Sequence, residues 1–416
     1  MINRIRALLK VEDVRRLLKN FFSLSVLKLV NAVLPFVTLP YLIKVLGLQQ
    51  YGAIVLALSL IAYFQSITDY GFNLSATREI AKHKKSREQL SLIYSKTLTS
   101  KIYLLIFSLI VIVPIISLVP QFKEDLLVYL LMCLMLIGQT LFPEWFFRGV
   151  EQMGYIAGLN FVVKMIFTIG VFALIKQPQD YWIYPLLLGL GYILVSVYSY
   201  YLISKNFKVR FYFVRHNKVV KSLKSNFPLF INQFIPNLFN NTTNFLIGMI
   251  LGKSAVGLFG AIRQIIQILT VFNGVVSMVV FPYLIINPNK FDLYRKLYLP
   301  IFIFISILLA FLHIPIFKLI GIDSADASTV FYILLMGVLS IVVYGIYATN
   351  YLISRGFDRV VMKITILSSL IGFALSYPLI HYFGVVGGAI NIFICQFILG
   401  SSAYYMYRKY NLEVKS

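Results

Sequence analysis

One uninterrupted apolar stretch decides the class of fold to which this chain belongs. Residues 102–119 read IYLLIFSLIVIVPIISLV, and no charged side chain occurs among them. An α-helix rises 1.5 Å per residue, so a helix needs about 20 mostly apolar residues to cross the hydrocarbon core of a membrane. Together with the residues before it, this stretch predicts a membrane span over residues 94–119.

Similar apolar stretches recur on both sides of it along the whole chain. Of the 416 residues, 59% are hydrophobic and 13% are charged, whereas about a quarter of the residues of a soluble domain are charged. The missing polar surface predicts a lipid-facing exterior and argues against a soluble enzyme. We predict twelve spans with short connections, at residues 20–43, 53–75, 94–119, 126–147, 154–175, 182–204, 227–251, 256–281, 298–317, 328–353, 364–381 and 386–407.

Lysine and arginine residues predict which side of the membrane each connection faces. If the N-terminus is cytoplasmic, the cytoplasmic segments hold 28 of the 38 basic residues, the opposite side holds 5 and the spans hold 5. The positive-inside rule therefore places both termini in the cytoplasm, and we expect a multi-pass protein of the bacterial inner membrane. Because the net charge of +23 is dispersed between apolar spans, no nucleic-acid partner is predicted.

The basic segments also divide the chain into predicted domains. Residues 1–19 alternate basic and apolar side chains and predict an amphipathic helix on the cytoplasmic surface. Residues 205–226 contain seven basic and no acidic residues, and predict a linker that lies against anionic headgroups, with a specific role in substrate binding as the alternative. The linker separates an N-lobe (20–204) from a C-lobe (227–407), and residues 408–416 form a cytoplasmic tail.

The two predicted lobes carry the same short motifs. A leucine–glycine pair followed five residues later by a second glycine occurs at Leu46-Gly47 with Gly52, and again 205 residues later at Leu251-Gly252 with Gly257. An arginine–glycine pair ends spans four and ten, at Arg148-Gly149 and, 207 residues later, at Arg355-Gly356. Six spans in each repeat give both copies the same orientation. We therefore expect an all-α membrane protein with two six-helix lobes around a central cavity, which suits alternating access.

Three stretches of the N-lobe resemble the Wzx-type O-antigen flippases. They are NAVLPFVTLPYLIKVLG (31–47) leading to Tyr51-Gly52, DYGFNLSATREIA (69–81) and PEWFFRGVEQM (143–153). Weaker similarity runs through residues 227–260 and 384–391. These flippases form the polysaccharide-transporter branch of the superfamily that also contains the multidrug and toxin extrusion (MATE) transporters. One departure is Arg148, since the family commonly has a glutamine at this position.

The resemblance implies a MATE-like fold and a specific activity. It implies a flippase, and not an enzyme, that moves undecaprenyl-pyrophosphate-linked oligosaccharide repeat units from the cytoplasmic to the periplasmic leaflet. The implied partners are the bilayer, this lipid-linked substrate, and a polymerase and chain-length regulator of the same pathway. No cofactor or metal is expected, and coupling to a proton or sodium gradient stays open.

Basic side chains inside the spans are the candidate residues for binding the diphosphate. Charge is costly in the membrane interior, so an ionisable residue there is a functional candidate. Lys28, Lys164 and Arg263 are predicted to line the cavity and bind the diphosphate, and Lys101 is a fourth candidate. For Lys28 and Lys101 the alternative is a side chain that extends toward the cytoplasmic headgroups.

Acidic side chains inside the spans are scarce. Asp69 and Glu144 lie toward cytoplasmic ends of their spans. Each is a candidate for binding a coupling ion, and the alternative is an ion pair with Arg78, Lys82 or Arg148. Arg78 and Arg148 themselves belong to the two later motifs of the resemblance.

Span seven carries a face of amide side chains. These amides recur every three or four residues and so share one side of a helix: Gln233, Asn237, Asn240, Asn241 and Asn244. Amides offer paired donors and acceptors to sugar hydroxyls, so this face is predicted to contact the oligosaccharide, with hydrogen bonds to other helices as the alternative. Pro236 predicts a break or kink in the same helix.

Two other functional classes stay open. A MATE-type drug or cation antiporter would share the fold but needs a deep carboxylate for its substrate, and the charge inside the predicted spans is mainly positive. A membrane enzyme of polysaccharide assembly needs a large extramembrane loop or a catalytic constellation. The longest loop, residues 205–226, has one histidine and no carboxylate.

Overall fold

The computed structural model describes residues 12–413, which form helices and short connections without a β-strand in that range. The helices are α1 (Glu12–Asp69), α2 (Phe72–His83), α3 (Arg87–Leu118), α4 (Pro120–Lys123), α5 (Leu126–Leu141), α6 (Glu144–Gly149), α7 (Met153–Leu174), α8 (Ile183–Phe207), α9 (His216–Leu251), α10 (Lys253–Ile286), α11 (Phe291–Ile320), α12 (Ala325–Tyr344) and α13 (Asp358–Glu413). A π-helical segment, Gly345–Leu352, follows α12 directly. Residues 1–11 of the predicted amphipathic helix lie outside the described residues.

Nine helical segments of the described chain are long and apolar enough to cross a membrane. Two of them cover two predicted spans each, because α1 contains span one and span two up to Asp69, and α13 contains spans eleven and twelve. The last residues of predicted span two lie in the turn after α1 and in α2. Gly47 (φ 74°, ψ 169°) interrupts the helical backbone of α1, and Gly384 (φ 58°, ψ −137°) interrupts that of α13. The amide-rich α9 is not among the nine. A multi-pass all-α fold is confirmed, and the helices are consistent with twelve spans.

The described chain forms two compact units, each built from segments that are distant in sequence. Unit 1 contains the described residues up to Asn31, together with 61–174 and 182–234. Unit 2 contains residues 32–60, 175–181 and those from Ile235 onward. Helices α1 and α9 contribute residues to both units. The lobes at 20–204 and 227–407 stay a prediction about the repeat.

Unit 1 closes around an aromatic core supplied by the tryptophan–phenylalanine–phenylalanine motif. Trp145, Phe146 and Phe147 on α6 are all fully buried. The ring of Tyr94 on α3 lies 5.6 Å from that of Trp145 and 5.8 Å from that of Phe146, measured between centroids. Thr77 on α2 donates a hydrogen bond to the Trp145 carbonyl oxygen at 3.1 Å. The aromatic surface thus joins α2, α3 and α6 and holds the short helix in place.

Unit 2 brings the two copies of the leucine–glycine motif together. Gly47 and Gly252 both adopt positive φ, 74° and 92°, with extended ψ values of 169° and 178°. Five residues after each, Gly52 of α1 and Gly257 of α10 abut, and a Cβ added to Gly257 would lie 3.1 Å from the Gly52 Cα. The motif found by its spacing therefore has the same backbone conformation in both halves of the chain.

Candidate functional sites in the helices

Asp69 forms an ion pair with the buried Lys101 in unit 1, and the Asp69 side chain itself is 31% exposed. The Lys101 ammonium donates to the Asp69 Oδ1 at 3.1 Å, and the lysine side chain is only 1% exposed. The alternative in which Lys101 extends toward the headgroups is therefore wrong, since its buried ammonium pairs with a carboxylate. A role of Lys101 in diphosphate binding stays a prediction. The partner of Asp69 is Lys101 rather than Arg78 or Lys82. Sequence reasoning had both residues but not the pairing, since they lie 32 positions apart.

The turn that follows Asp69 separates α1 from α2. Tyr70 has φ 41° and Gly71 has φ 75°, so two consecutive residues lie in the left-handed region. A Cβ on Gly71 would lie 2.7 Å from the Leu229 Cβ of α9, so glycine is needed for this close approach. The Tyr70 ring stacks on Phe230 with centroids 4.5 Å apart and planes 12° apart. The turn thereby holds the Asp69 carboxylate at the end of its helix.

Glu144 is the centre of a second polar cluster in unit 1. The chain leaves helical geometry at Phe142 and Pro143 and begins the short α6 at Glu144. Arg148 Nη2 donates to Glu144 Oε2 at 3.0 Å, and Asn160 Nδ2 donates to Glu144 Oε1 at 3.4 Å. The alternative in which Glu144 pairs with Arg148 is confirmed. Arg148 follows Glu144 by one helical turn, which is the spacing at which side chains on a helix meet.

The remaining basic candidates of unit 1 differ in their exposure. Lys164 lies one turn beyond the buried Asn160 on α7 and is partly buried. No carboxylate of the described residues forms an ion pair with Lys164. Lys28 on α1 and Arg78 on α2 are exposed. Of these three, only Lys164 combines burial with the absence of an ion-pair partner in the described part of the chain.

Unit 2 brings Arg263 into contact with the predicted amide face. Arg263 Nη1 donates to the Asn244 Oδ1 at 3.1 Å, which joins α10 to α9. Asn241 is partly buried and Asn237 is exposed, whereas the side chain of Asn240 lies outside the described residues. Gln233 is also partly buried on α9. One predicted cation and one predicted sugar-facing amide thus form a single polar site.

The helix does not break at Pro236, and a kink there stays a prediction. Every residue of α9 from His216 to Leu251 is helical. Neighbouring polar groups in a membrane protein can compensate for the hydrogen bond that a proline removes. The amide face is therefore carried by one continuous helix.

A polar network around Asn350 was missed by sequence reasoning. Asn350 lies in the π-helical segment, is fully buried, and donates to Ser277 Oγ at 3.1 Å and Tyr294 Oη at 2.9 Å. Nearby, Tyr298 Oη donates to Asn273 Oδ1 at 3.0 Å. An amide inside predicted span ten was the available signal for Asn350, but its partners lie 56 and 73 residues away.

Metal binding has no support among the described residues. They contain no group of three or more histidine, cysteine, aspartate or glutamate side chains that could hold a metal ion. Both cysteines, Cys133 and Cys395, are free and buried.

The fold and these sites define a multi-pass helical membrane protein with polar clusters inside its helices. Its structure is similar to a Lipid II flippase MurJ in an inward closed conformation, with a TM-score of 0.72 and 16% identity over 95% of this chain and 87% of that one. It is also similar to an inward-facing multidrug resistance MATE family transporter of the MOP superfamily, with a TM-score of 0.71 and 14% identity over 94% and 99% of the chains. These similarities confirm the predicted MATE-like fold.

The family is established by sequence. A family model described as polysaccharide biosynthesis protein matches residues 17–286, well over half of the chain. The chain belongs to this family. A relative from Shigella dysenteriae, described as "Putative O-antigen transporter", is 26% identical over 390 residues, which cover 92% of this chain and 97% of the relative.

Proposed function

We propose that this protein is a flippase for lipid-linked oligosaccharide repeat units. Its substrate would be an undecaprenyl-pyrophosphate-linked O-antigen unit or a similar oligosaccharide, moved from the cytoplasmic to the periplasmic leaflet by alternating access. The family and the O-antigen transporter named above support the substrate class. The MATE-like fold supports the transport mechanism, since solved relatives of this fold include inward-facing and outward-facing transporters.

The sign of the charge inside the helices carries the proposal. Both candidate carboxylates have a cation as partner, Asp69 with Lys101 and Glu144 with Arg148. Lys164 and Arg263 add positive charge to the helices beyond these pairs. Excess positive charge suits an anionic diphosphate, which arginine can bind with two parallel hydrogen bonds and lysine as a point charge.

The same observation separates this function from that of a cation exporter. A cationic substrate needs a carboxylate that is available inside the membrane, whereas both candidates here are neutralised by neighbours. A proton or sodium gradient as the driving force is a further part of the proposal, with Asp69 and Glu144 as the groups to examine. An O-antigen polymerase and a chain-length regulator are the proposed partners at the periplasmic side, and the bacterial inner membrane is the proposed location.

Accumulation of the substrate in the cytoplasmic leaflet tests the function directly. Cells that lack the gene are expected to accumulate lipid-linked repeat units in the cytoplasmic leaflet. A membrane-impermeant reagent that modifies glycans should therefore label these units in inverted vesicles, whose outer surface is the cytoplasmic one, and not in vesicles of the native orientation. Wild-type protein should restore the periplasmic pool, and Lys164→Gln and Arg263→Gln should restore it poorly. Lys318→Gln is the matched control, because it removes one exposed charge outside these polar clusters.

Three results would contradict the proposal. The first is the absence of cytoplasm-facing repeat units in the deletion strain. The second is full complementation by both Lys164→Gln and Arg263→Gln at wild-type protein levels, which would show that these two cations have no role in transport. The third is export of a cationic dye that disappears in Asp69→Asn, which would favour a drug antiporter.

A further inference from the structure

A basic cavity lies in unit 1 near the start of α9, apart from the polar clusters described above. Its volume is about 340 Å³. The polar side chains that line it include His83, Gln89, Lys96, Lys218, Lys221 and Ser222. None of these residues belongs to the candidate substrate site.

Three helices each present one face to this cavity. On α2 the two lining residues lie four positions apart. On α3 the lining residues recur every three or four positions from Gln89 to Lys96. On α9 they include Lys218, Lys221 and Ser222. Residues at these spacings share one side of a helix. The lysines therefore face one open cavity between three helices.

The cavity carries an excess of positive charge. Glu79 is the single carboxylate among the residues that line it, and it pairs with Lys96 at 2.7 Å. The Glu79 carbonyl oxygen also accepts a hydrogen bond from the His83 Nδ1 at 2.9 Å, which leaves Nε2 as the other polar atom of that ring. Lys218 and Lys221 form no ion pair with any described residue. Two ammonium groups are thus available to an anion.

The linker before α9 is fixed against α3, which positions these lysines. The backbone amide of Arg210 donates to Ser91 Oγ at 3.2 Å, and that of Tyr212 donates to Ser95 Oγ at 3.1 Å. Tyr212 and Phe213 point outward, with 45% and 70% of their surface exposed. Exposed aromatic side chains beside basic residues are typical of the membrane–water interface.

The face of α3 that lines the cavity carries exposed apolar side chains further along the helix. Gln89 and Lys96 are followed at the same seven-residue interval by Tyr103 and Ile110, with Phe107 between them. The last three side chains are exposed by 41%, 66% and 56%, respectively. A ligand with a phosphate group in the cavity and an acyl or prenyl chain along these side chains would contact both the basic and the apolar surface.

We propose that this cavity binds the phosphate headgroup of a membrane lipid, with Lys218 and Lys221 as its main ligands. Two lipids share the required chemistry, an anionic phospholipid of the bilayer and a polyprenyl diphosphate. Basic pockets between helices near the cytoplasmic surface are typical sites for phosphate-bearing headgroups. For a bilayer phospholipid the inference does not depend on the proposed function, because it rests on the cavity, its charge and the apolar side chains of α3. For a polyprenyl diphosphate it rests on the proposed function and adds a second contact for the same substrate.

The test compares two double variants with equal loss of charge. Lys218→Gln with Lys221→Gln removes both free ammonium groups from the cavity, and Lys85→Gln with Lys224→Gln removes two exposed lysines of unit 1 that do not line it. Binding of radiolabelled cardiolipin, phosphatidylglycerol, undecaprenyl diphosphate and the zwitterionic phosphatidylethanolamine is measured on the purified full chain in detergent. Inorganic pyrophosphate is the water-soluble competitor.

The cavity variant is expected to bind an anionic lipid about 10- to 30-fold more weakly than wild type, since each lysine near an anionic lipid surface contributes roughly fivefold. The control variant should change binding less than about twofold. Loss for cardiolipin or phosphatidylglycerol identifies a phospholipid, and loss for undecaprenyl diphosphate alone identifies the carrier lipid. The proposal would be overturned if lipid binding fell equally in both variants or did not fall in the cavity variant. It would also be overturned if pyrophosphate bound as tightly as every lipid. Lys218 and Lys221 are exposed, so unchanged elution on size exclusion is expected to verify folding.

Discussion

The glycine contact between α1 and α10 predicts a measurable cost for a single methyl group. In unit 2, a Cβ added to Gly52 would overlap the Lys253 carbonyl oxygen and lie 2.5 Å from the Lys253 carbonyl carbon. Carbon atoms in favourable contact lie about 3.5–4.0 Å apart. Gly52→Ala therefore requires the two helices to separate by roughly 1 Å, and their backbones cannot yield as a flexible side chain would.

The net effect follows from two opposing contributions. Overpacking a tight site typically costs about 1–3 kcal/mol, while alanine in place of glycine in a helix returns up to about 1 kcal/mol. We expect Gly52→Ala to lower the free energy of unfolding by about 1–2 kcal/mol, which is a factor of roughly 5–30 in the ratio of folded to unfolded protein. Gly257→Ala should act in the same direction, because its Cβ would overlap the Leu48 carbonyl oxygen.

The two buried cysteines provide an assay that reports on each unit. Cys395 is fully buried in unit 2 and Cys133 is 6% exposed in unit 1. In a Cys133→Ala background, a fluorogenic maleimide labels Cys395 when unit 2 unfolds on heating in detergent. Gly52→Ala should lower the labelling temperature. Gly274→Ala on α10 is the control, since no heavy atom lies within 4 Å of its added Cβ, and it should leave the temperature unchanged or raise it.

Two outcomes would refute this reasoning. If Gly52→Ala labels at the wild-type temperature or above, the helices are not in the close contact described. If Gly274→Ala lowers the temperature as much as Gly52→Ala does, the loss comes from glycine in general and not from the contact.

Three further predictions follow from the polar clusters. Asp69→Asn leaves the Lys101 ammonium buried without its carboxylate and should destabilise unit 1 by about 3–5 kcal/mol; added Lys101→Met should recover much of the loss, and thermal labelling of the unit 1 cysteine measures both. Asn350→Ala should destabilise unit 2 by about 1–3 kcal/mol, because it leaves buried hydroxyl groups without their partner; unchanged labelling of the unit 2 cysteine would contradict this. Arg263→Lys should support more translocation than Arg263→Gln in the complementation assay, since it keeps the charge; equal activity of the two would show that charge at this position is irrelevant.

Features that repeat along the chain were predictable from sequence. The apolar stretches predicted the helices, because about twenty consecutive apolar residues are typical of a membrane-spanning helix. The glycines at 47 and 252 were found by spacing alone, and both adopt a positive φ with extended ψ, a conformation that glycine tolerates best. Glu144 and Arg148 pair because four residues along a helix bring two side chains to one face. Each of these depends on local geometry.

Contacts between distant segments could not be predicted in this way, and they decide the chemistry of the sites. From the sequence, Asp69 and Lys101 were two separate candidates, one for ion coupling and one for diphosphate binding. The packing of α1 against α3 places them in one ion pair. The lysines at 218 and 221 looked like part of a uniformly basic linker. These two lysines line one cavity with Lys96 and His83 because of the way in which α2, α3 and α9 pack. The spacing of residues within one helix does not predict that packing. A charged residue in a membrane protein therefore becomes a candidate ligand only after its partners are known. By that criterion Lys164, Lys218 and Lys221 are stronger candidates than Lys101, although all four are lysines.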